Sequence, residues 1–168
     1  MKILMVLASK DFRDPEYHEP KKVLEDSGIK VITTSTSKTA TGAEGGVVNV
    51  DILLKEANAN DLDAVAFIGG PGSFDYFDDP KAHQLAKDII SSGKVLGAIC
   101  AAVGTIAKAG TLKGKKATCF SGIADIIKAG GAAYTGEGVT IDGKIITADG
   151  PKSAKAFGEA LVLALKRA

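Results

Sequence analysis

Uninterrupted apolar runs recur along the chain, separated by stretches with helical spacing and by glycine-rich turns. The clearest runs are KILMVLA (2–8), DAVAFIGG (63–70) and KVLGAIC (94–100). Continuous runs of this length are typical of strands that are covered on both faces, as in a parallel sheet. KVITTST (30–36) and KKATCF (115–120) predict two further strands.

Two Asp-Pro pairs predict where helices begin. In DPE (14–16), Asp14 is the expected N-cap, followed by proline at the first helical position and an acidic residue in the first turn. This helix is predicted to end near Gly28. DPKAHQLAKDIISSG (79–93) repeats the same start and ends on Gly93, a typical C-cap residue. Further helices are predicted over residues 101–110, 122–131 and 151–167.

The remaining segments predict small hairpins inserted between the α/β units. TGAEGGVVNVDILL (41–54) alternates polar and apolar residues, and Asp142-Gly143 separates two β runs in GVTIDGKIITAD (138–149). Strands that alternate with helices predict an α/β fold with a mostly parallel sheet and helices on both faces. Such folds bind ligands beyond the carboxyl ends of the strands. No repeat or linker interrupts the pattern, so we expect a single domain over residues 1–168.

Composition and charge narrow the function classes. The 168 residues include 21 Lys and Arg against 20 Asp and Glu, a net charge of +1, so the chain lacks the basic footprint of a nucleic-acid binder. No stretch approaches the roughly 20 apolar residues of a membrane span. Charged residues follow the first apolar run at once, which argues against a signal peptide. Two cysteines make no disulfide framework, and we therefore expect a reducing, cytoplasmic location.

The strongest chemical candidate is Cys100, which stands between a predicted strand and a predicted helix. A nucleophile on such a sharp turn needs small residues two positions before and after it, and Ala98 and Ala102 meet that need. The helix N-terminus is expected to lower the pKa of the thiol, and the Ala101 N–H becomes a candidate oxyanion donor. The alternative is an inert buried cysteine, a common fate for a free thiol.

The turn GGPG (69–72) follows another predicted strand. Its backbone N–H groups could complete an oxyanion pocket with the turn at Cys100, or it is simply a tight strand-to-helix connection. It is not a phosphate-binding P-loop, because no Lys-Ser/Thr pair follows the glycines, and it lacks the full dinucleotide fingerprint. We therefore expect no nucleotide cofactor, and no metal site stands out.

The usual base partner of a thiol is missing from the expected place. The chain has two histidines, His18 and His83, and both precede Cys100, so a cysteine–histidine triad with a downstream histidine cannot be built. Glu16 is the preferred partner, because it follows the first strand at the same edge of the sheet; its other explanation is favourable charge at its own helix N-terminus. Cys119 is either a small core residue or a thiol able to resolve an oxidised Cys100.

Taken together, GGPG, AIC at the turn, Glu16 after the first strand and IITADGP near the end resemble the ThiJ/PfpI superfamily over nearly the whole chain. The resemblance implies a flavodoxin-like α/β sandwich, commonly a homodimer, which acts on a small molecule without a cofactor or metal. It also implies that Cys100 is the reactive thiol and that Glu16 contacts it. The N–H groups of Gly70 and Ala101 would form the oxyanion site.

One departure from the family pattern bears on the reaction. The PfpI-type peptidase branch has histidine directly after the cysteine, where this chain has Ala101. The Cys-Ala version looks more like the ThiJ branch, which is associated with glyoxalase or deglycase activity on 2-oxoaldehydes. A histidine that this branch often places near the cysteine matches Phe120 here. The leading hypothesis is thus an enzyme acting on a small carbonyl compound. The alternatives are a redox-sensing or chaperone-like stress protein, and a cysteine peptidase or amidase.

Overall fold

A computed structural model describes residues 1–167, over which the chain forms twelve strands and five α-helices. The strands are β1 Lys2–Val6, β2 Lys10–Phe12, β3 Lys30–Ser35, β4 Thr39–Gly42, β5 Val47–Asn49, β6 Ile52–Leu53, β7 Ala64–Phe67, β8 Val95–Ile99, β9 Lys116–Ala117, β10 Ala133–Tyr134, β11 Val139–Asp142 and β12 Ile145–Ala148. The helices are α1 Asp14–Asp26, α2 Pro80–Ser91, α3 Val103–Lys108, α4 Ala124–Ala129 and α5 Ala154–Arg167.

Seven strands form the central sheet in the order β11-β12-β8-β7-β1-β3-β6. All neighbours in it are parallel except β11 and β12, which form the predicted antiparallel hairpin. Val6 pairs with Phe67, and Phe67 pairs with Ala98, so β1, β7 and β8 end at the same edge. The prediction of a mostly parallel sheet is confirmed, and it places the segments after these three strands side by side.

The helices form two groups that cover the sheet. α1 packs against α5, and α5 contacts β8 and β12. α2 contacts β7 and β8 and also packs against α3, which in turn contacts α4. The prediction of helices on both faces is confirmed. The strands between these layers are almost fully buried, which explains their continuous apolar runs.

The two Asp-Pro helix starts differ in the structure. Asp79 caps α2 as predicted, since its Oδ1 accepts hydrogen bonds from the N–H groups of Lys81 (2.8 Å) and Ala82 (2.9 Å). The prediction that Asp14 is an N-cap is wrong, because Asp14 is the first residue of α1 and Arg13 precedes it. The Asp14 carboxylate binds the loop between β4 and β5 instead.

Two further predictions need correction. The hairpin predicted over residues 41–54 is shorter, with β4 antiparallel to β5, while β6 joins the edge of the central sheet beside β3. The strand predicted over residues 115–120 is reduced to β9, which pairs with β10 outside the central sheet. In both segments, the extent of each strand depends on the strand with which it pairs, which local sequence patterns do not specify.

Candidate active site

Cys100 lies on a sharp turn between β8 and the helical segment that follows it. Its φ of +60° places it in the left-handed region, which few residues other than glycine adopt. A single turn of 3-10 helix, Cys100–Ala102, then leads into α3. Ala98 and Ala102, the small residues predicted to permit this turn, are buried on either side of it. Strained backbone of this kind clusters at functional sites, which favours a role for Cys100 beyond packing.

Glu16 and Cys100 meet across Gly69. A Cβ atom placed on Gly69 would lie 2.5 Å from Glu16 Oε1 and 2.7 Å from Cys100 Cβ. Only a hydrogen atom fits between them, so the first glycine of the GGPG turn is required by close approach. The structure therefore brings together the carboxyl group and the thiol that the sequence predicted to be partners.

Glu16 is a buried carboxylic acid whose burial is little compensated by hydrogen bonds. The residue is 0% exposed, and within residues 1–167 neither of its carboxylate oxygens has a hydrogen-bond partner of standard geometry. Burial raises the pKa of Glu16 to about 7, an effect that the facing Cys100 thiol, the positive charge of Arg13 and the Gly69 N–H only partly offset. A carboxyl group with this pKa exchanges its proton near neutral pH, as a general acid or base must.

The expected lowering of the Cys100 thiol pKa is wrong. Burial, followed by the negative charge of Glu16, raises the pKa of Cys100 to about 12. The Ala101 N–H acts in the opposite direction, but α3 has only six residues and begins after the 3-10 turn. The helix contribution is therefore too small to outweigh burial. A thiol with this pKa needs a base such as Glu16 to accept its proton before it can act as a nucleophile.

Gly70 and Ala101, the predicted oxyanion donors, lie on the two neighbouring turns. Gly70 has a φ of +112°, and a Cβ there would overlap the backbone of residues 11–13. Ala101 directly follows the nucleophile, and its N–H faces the thiol. The segment Pro71–Tyr76, which directly follows Gly70, packs against Cys100–Ala102, so the two N–H groups belong to adjoining segments. Their role as oxyanion donors stays a prediction.

The two histidines have other partners. His83 Nε2 lies 2.6 Å from the carbonyl oxygen of Phe77, and the His18 ring packs against Tyr17 with 4.9 Å between centroids. No hydrogen bond from either ring to Cys100 is found within residues 1–167. Phe120, which the resemblance to the ThiJ branch matched to a histidine, donates its backbone N–H to the carbonyl oxygen of Cys100 (3.3 Å) and leaves its ring exposed.

Cys119 is fully buried in the core, and burial raises its pKa to about 12. This environment favours the interpretation of a small core residue over that of a resolving thiol.

Two contributors were missed by the sequence analysis. The close approach at Gly69 was hidden in a common Gly-Gly pair, because the letters alone do not show which of the two glycines is required, or why. Arg13 was overlooked because its side chain reaches the site from the residue before α1. Its position three residues before Glu16 was the available signal.

Residues 1–167 contain neither a candidate metal site nor a candidate membrane-spanning helix. No group of three or more His, Cys, Asp or Glu side chains there is arranged to hold a metal ion. No helix in the same range is long and apolar enough to cross a membrane.

Comparison with known proteins places the fold in a family. The model of the DJ-1/PfpI family matches residues 1–164. The crystal structure of a ThiJ/PfpI domain protein from Brachyspira murdochii superposes with a TM-score of 0.97 at 37% identity, covering 99% of this chain and 97% of that one.

Relatives of similar length carry several activity names. An uncharacterized protein of Methanocaldococcus jannaschii is 39% identical, over 99% of this chain and 83% of its own length. Deglycase PfpI of Pyrococcus furiosus is 31% identical, over 99% of this chain and 100% of its own length. A Caenorhabditis elegans protein named a glutathione-independent glyoxalase is 29% identical, over 97% of this chain and 88% of its own length. A Bacillus subtilis protein whose name suggests a cysteine protease is 30% identical, over 98% of this chain and 99% of its own length. With a family model over nearly its whole length and relatives above 30% identity, this chain belongs to the DJ-1/PfpI family.

Proposed function

We propose that the protein is a cofactor-free enzyme in which Cys100 and Glu16 convert a 2-oxoaldehyde into a 2-hydroxy acid. The observation that carries this proposal is the pairing of a strained, half-buried thiol with a buried carboxyl group across Gly69. The pKa of the carboxyl group is about 7, so Glu16 is partly ionised near neutral pH and can accept the thiol proton as Sγ adds to the substrate.

The first step is addition of the thiol to the aldehyde carbon. Ionised Glu16 takes the thiol proton while Sγ forms a bond to that carbon. The carbonyl oxygen becomes an oxyanion, which the N–H groups of Gly70 and Ala101 would bind. Glu16 then returns the proton to this oxygen, which gives a hemithioacetal and restores the carboxylate.

The second step moves a hydrogen along the substrate. Glu16 removes the proton from the former aldehyde carbon, forming an enediolate, and delivers it to the neighbouring carbonyl carbon. The hydroxyl proton on the first carbon passes to the oxygen of the second. The first carbon is thereby oxidised to a thioester and the second is reduced to an alcohol, so no external oxidant or reductant is needed. Water hydrolyses the thioester, which releases the 2-hydroxy acid and the free thiol.

The arrangement supports this chemistry better than peptide hydrolysis. A cysteine peptidase needs a base that also protonates a departing amine, a task for which histidine is the usual group. Here Ala101 occupies the position of that histidine, and both histidines of the chain bind elsewhere. The names of the deglycase and glyoxalase relatives support a carbonyl substrate.

Conversion of methylglyoxal to lactate tests the proposal. Wild-type protein is expected to form lactate, and Cys100→Ser is expected to lose at least about a hundredfold in kcat/KM. Cys119→Ser is the matched control, because it removes the other thiol of the chain from a core position. Equal activity of wild type and Cys100→Ser would exclude the proposed mechanism.

A further inference from the structure

Arg13 is fixed beside the turn that separates Glu16 from Cys100. Its backbone N–H donates a hydrogen bond to the carbonyl oxygen of Gly69 (2.9 Å), and a Cβ on Gly70 would overlap the Arg13 nitrogen. The start of α1 and the glycine turn are thus one packed unit. The Arg13 side chain leaves the backbone at the edge of the candidate site.

The guanidinium group of Arg13 is only partly used. Its Nε atom is buried, yet it has no hydrogen-bond partner within residues 1–167. The ion pair from its Nη1 to Glu44 Oε1 is long at 3.5 Å, and both side chains are partly exposed. An exposed pair of this length contributes little, whereas a buried unpaired donor is costly. The group therefore has spare capacity for an anion.

The charges around the thiol agree with this position. Arg13 lowers the pKa of both Glu16 and Cys100, so its positive charge lies near both groups. The opposing charges nearby are Glu44 and Asp149. Asp149 raises the pKa of Glu16, but its Oδ1 accepts a hydrogen bond from the Ser153 hydroxyl (2.6 Å). Arg13 is thus the cation that affects the pKa of both Glu16 and Cys100.

We propose that Arg13 binds an anionic group of the substrate, so that the site prefers 2-oxoaldehydes carrying a carboxylate at the end remote from the aldehyde. This inference rests on the proposed function. Guanidinium groups match carboxylates in geometry and form short, charge-assisted hydrogen bonds. The reaction itself is unchanged: 4,5-dioxopentanoate and water would give 2-hydroxyglutarate through the same thiol adduct, and the distant carboxylate is neither oxidised nor reduced.

Alkylation of Cys100 tests the anion site without turnover. Sγ displaces iodide from anionic N-(iodoacetyl)glycine and from neutral N-(iodoacetyl)glycinamide, and the ratio of the two rates cancels the fraction of thiolate. The carboxylate of the first reagent lies four bonds from the attacked carbon, as it does in 4,5-dioxopentanoate. This ratio is expected to fall by about tenfold in Arg13→Gln, since a hydrogen bond to a charged group is lost. Arg13→Lys, which keeps the charge but not the Nε donor, should give an intermediate ratio.

A matched control separates binding of the anion by Arg13 from the general effect of removing one positive charge near the site. Lys10→Gln removes one positive charge from β2, close to the same glycine turn, and should leave the ratio within about twofold of wild type. Peptide mass analysis confirms that the label is on Cys100 and not on Cys119. An unchanged ratio in Arg13→Gln, or an equal fall in Lys10→Gln, would overturn the inference.

Turnover then distinguishes the two proposals. Wild type is expected to prefer 4,5-dioxopentanoate over its methyl ester in kcat/KM, and Arg13→Gln is expected to lose this preference by about tenfold. If neither compound nor methylglyoxal is converted while the alkylation ratio depends on Arg13, the proposed function fails and the anion site is retained. If both compounds are converted with equal efficiency by wild type and Arg13→Gln, the anion site is wrong and the proposed function is retained.

Discussion

The chemistry of the candidate site depends on two side chains that are unfavourably placed by ordinary standards. Cys100 has a left-handed backbone, and Glu16 is a buried acid without a standard hydrogen bond. Each feature costs stability, and such costs are typical of positions that are kept for function. The cost at Glu16 can be measured, because it depends on pH.

Replacing Glu16 with glutamine should stabilise the protein at alkaline pH. The pKa of Glu16 is raised from 4.5 to about 7, so the folded state holds its proton more tightly than the unfolded state does. The folding free energy of wild type therefore weakens as the pH rises from about 4.5 to about 7 and levels off above that range. Relative to wild type, Glu16→Gln should gain up to about 3 kcal/mol between pH 4 and pH 8.

Urea unfolding of both proteins across this pH range provides the measurement. Glu19→Gln, at an exposed position of the same helix, controls for the loss of a carboxylate. A difference between Glu16→Gln and wild type that does not change with pH would show that Glu16 is not a buried acid.

At the scale of elements, the start of α1 holds the loop between β4 and β5. The two carboxylate oxygens of Asp14 accept hydrogen bonds from the N–H groups of Glu44 and Gly46, each at 2.8 Å. The sequence could indicate an acidic residue at this helix start, but not that a loop thirty residues later would bind it. By contrast, Asp79 has no such competitor and caps α2 as predicted. Local patterns thus located the helices, while the partners of their terminal side chains depended on tertiary contacts.

Asp14→Ala should release this loop. Loss of two hydrogen bonds to a buried carboxylate should lower the free energy of unfolding by about 3 kcal/mol. Asp14→Asn, which retains one acceptor oxygen, should lose about half as much. Hydrogen exchange at the Glu44 and Gly46 amides reports the release directly. Unchanged protection of these two amides in Asp14→Ala would show that other contacts hold the loop.

At the scale of the whole molecule, the site is assembled from segments that follow three neighbouring strands. Glu16 lies beyond β1, Gly69 follows β7 and Cys100 follows β8. The sequence predicted this edge because apolar runs mark parallel strands whose carboxyl ends meet. It could not predict that burial would raise the pKa of Cys100, because burial depends on the packing of all three segments.

The packing of α1 on α5 should be sensitive to one glycine. A Cβ on Gly158 would lie 2.8 Å from Pro20 Cα and 3.2 Å from Val23 Cβ. Alanine is favoured over glycine in a helix by about 1 kcal/mol, but such overlap costs about 1–3 kcal/mol. Gly158→Ala should therefore lower the urea midpoint without changing the m-value. A higher urea midpoint would mean that α1 shifts away from the added methyl group at little cost, so that the helix preference for alanine dominates.

The central claim is that Glu16, rather than a histidine, moves the protons. Its most direct test is kcat/KM for the conversion of methylglyoxal to lactate by Glu16→Gln and by wild type at pH 8. We predict a loss of at least about a hundredfold in Glu16→Gln, because a general acid–base group contributes that much or more. This loss is predicted although the variant is more stable and its Cys100 thiol ionises more easily without the neighbouring negative charge. Activity within a few fold of wild type would contradict the account.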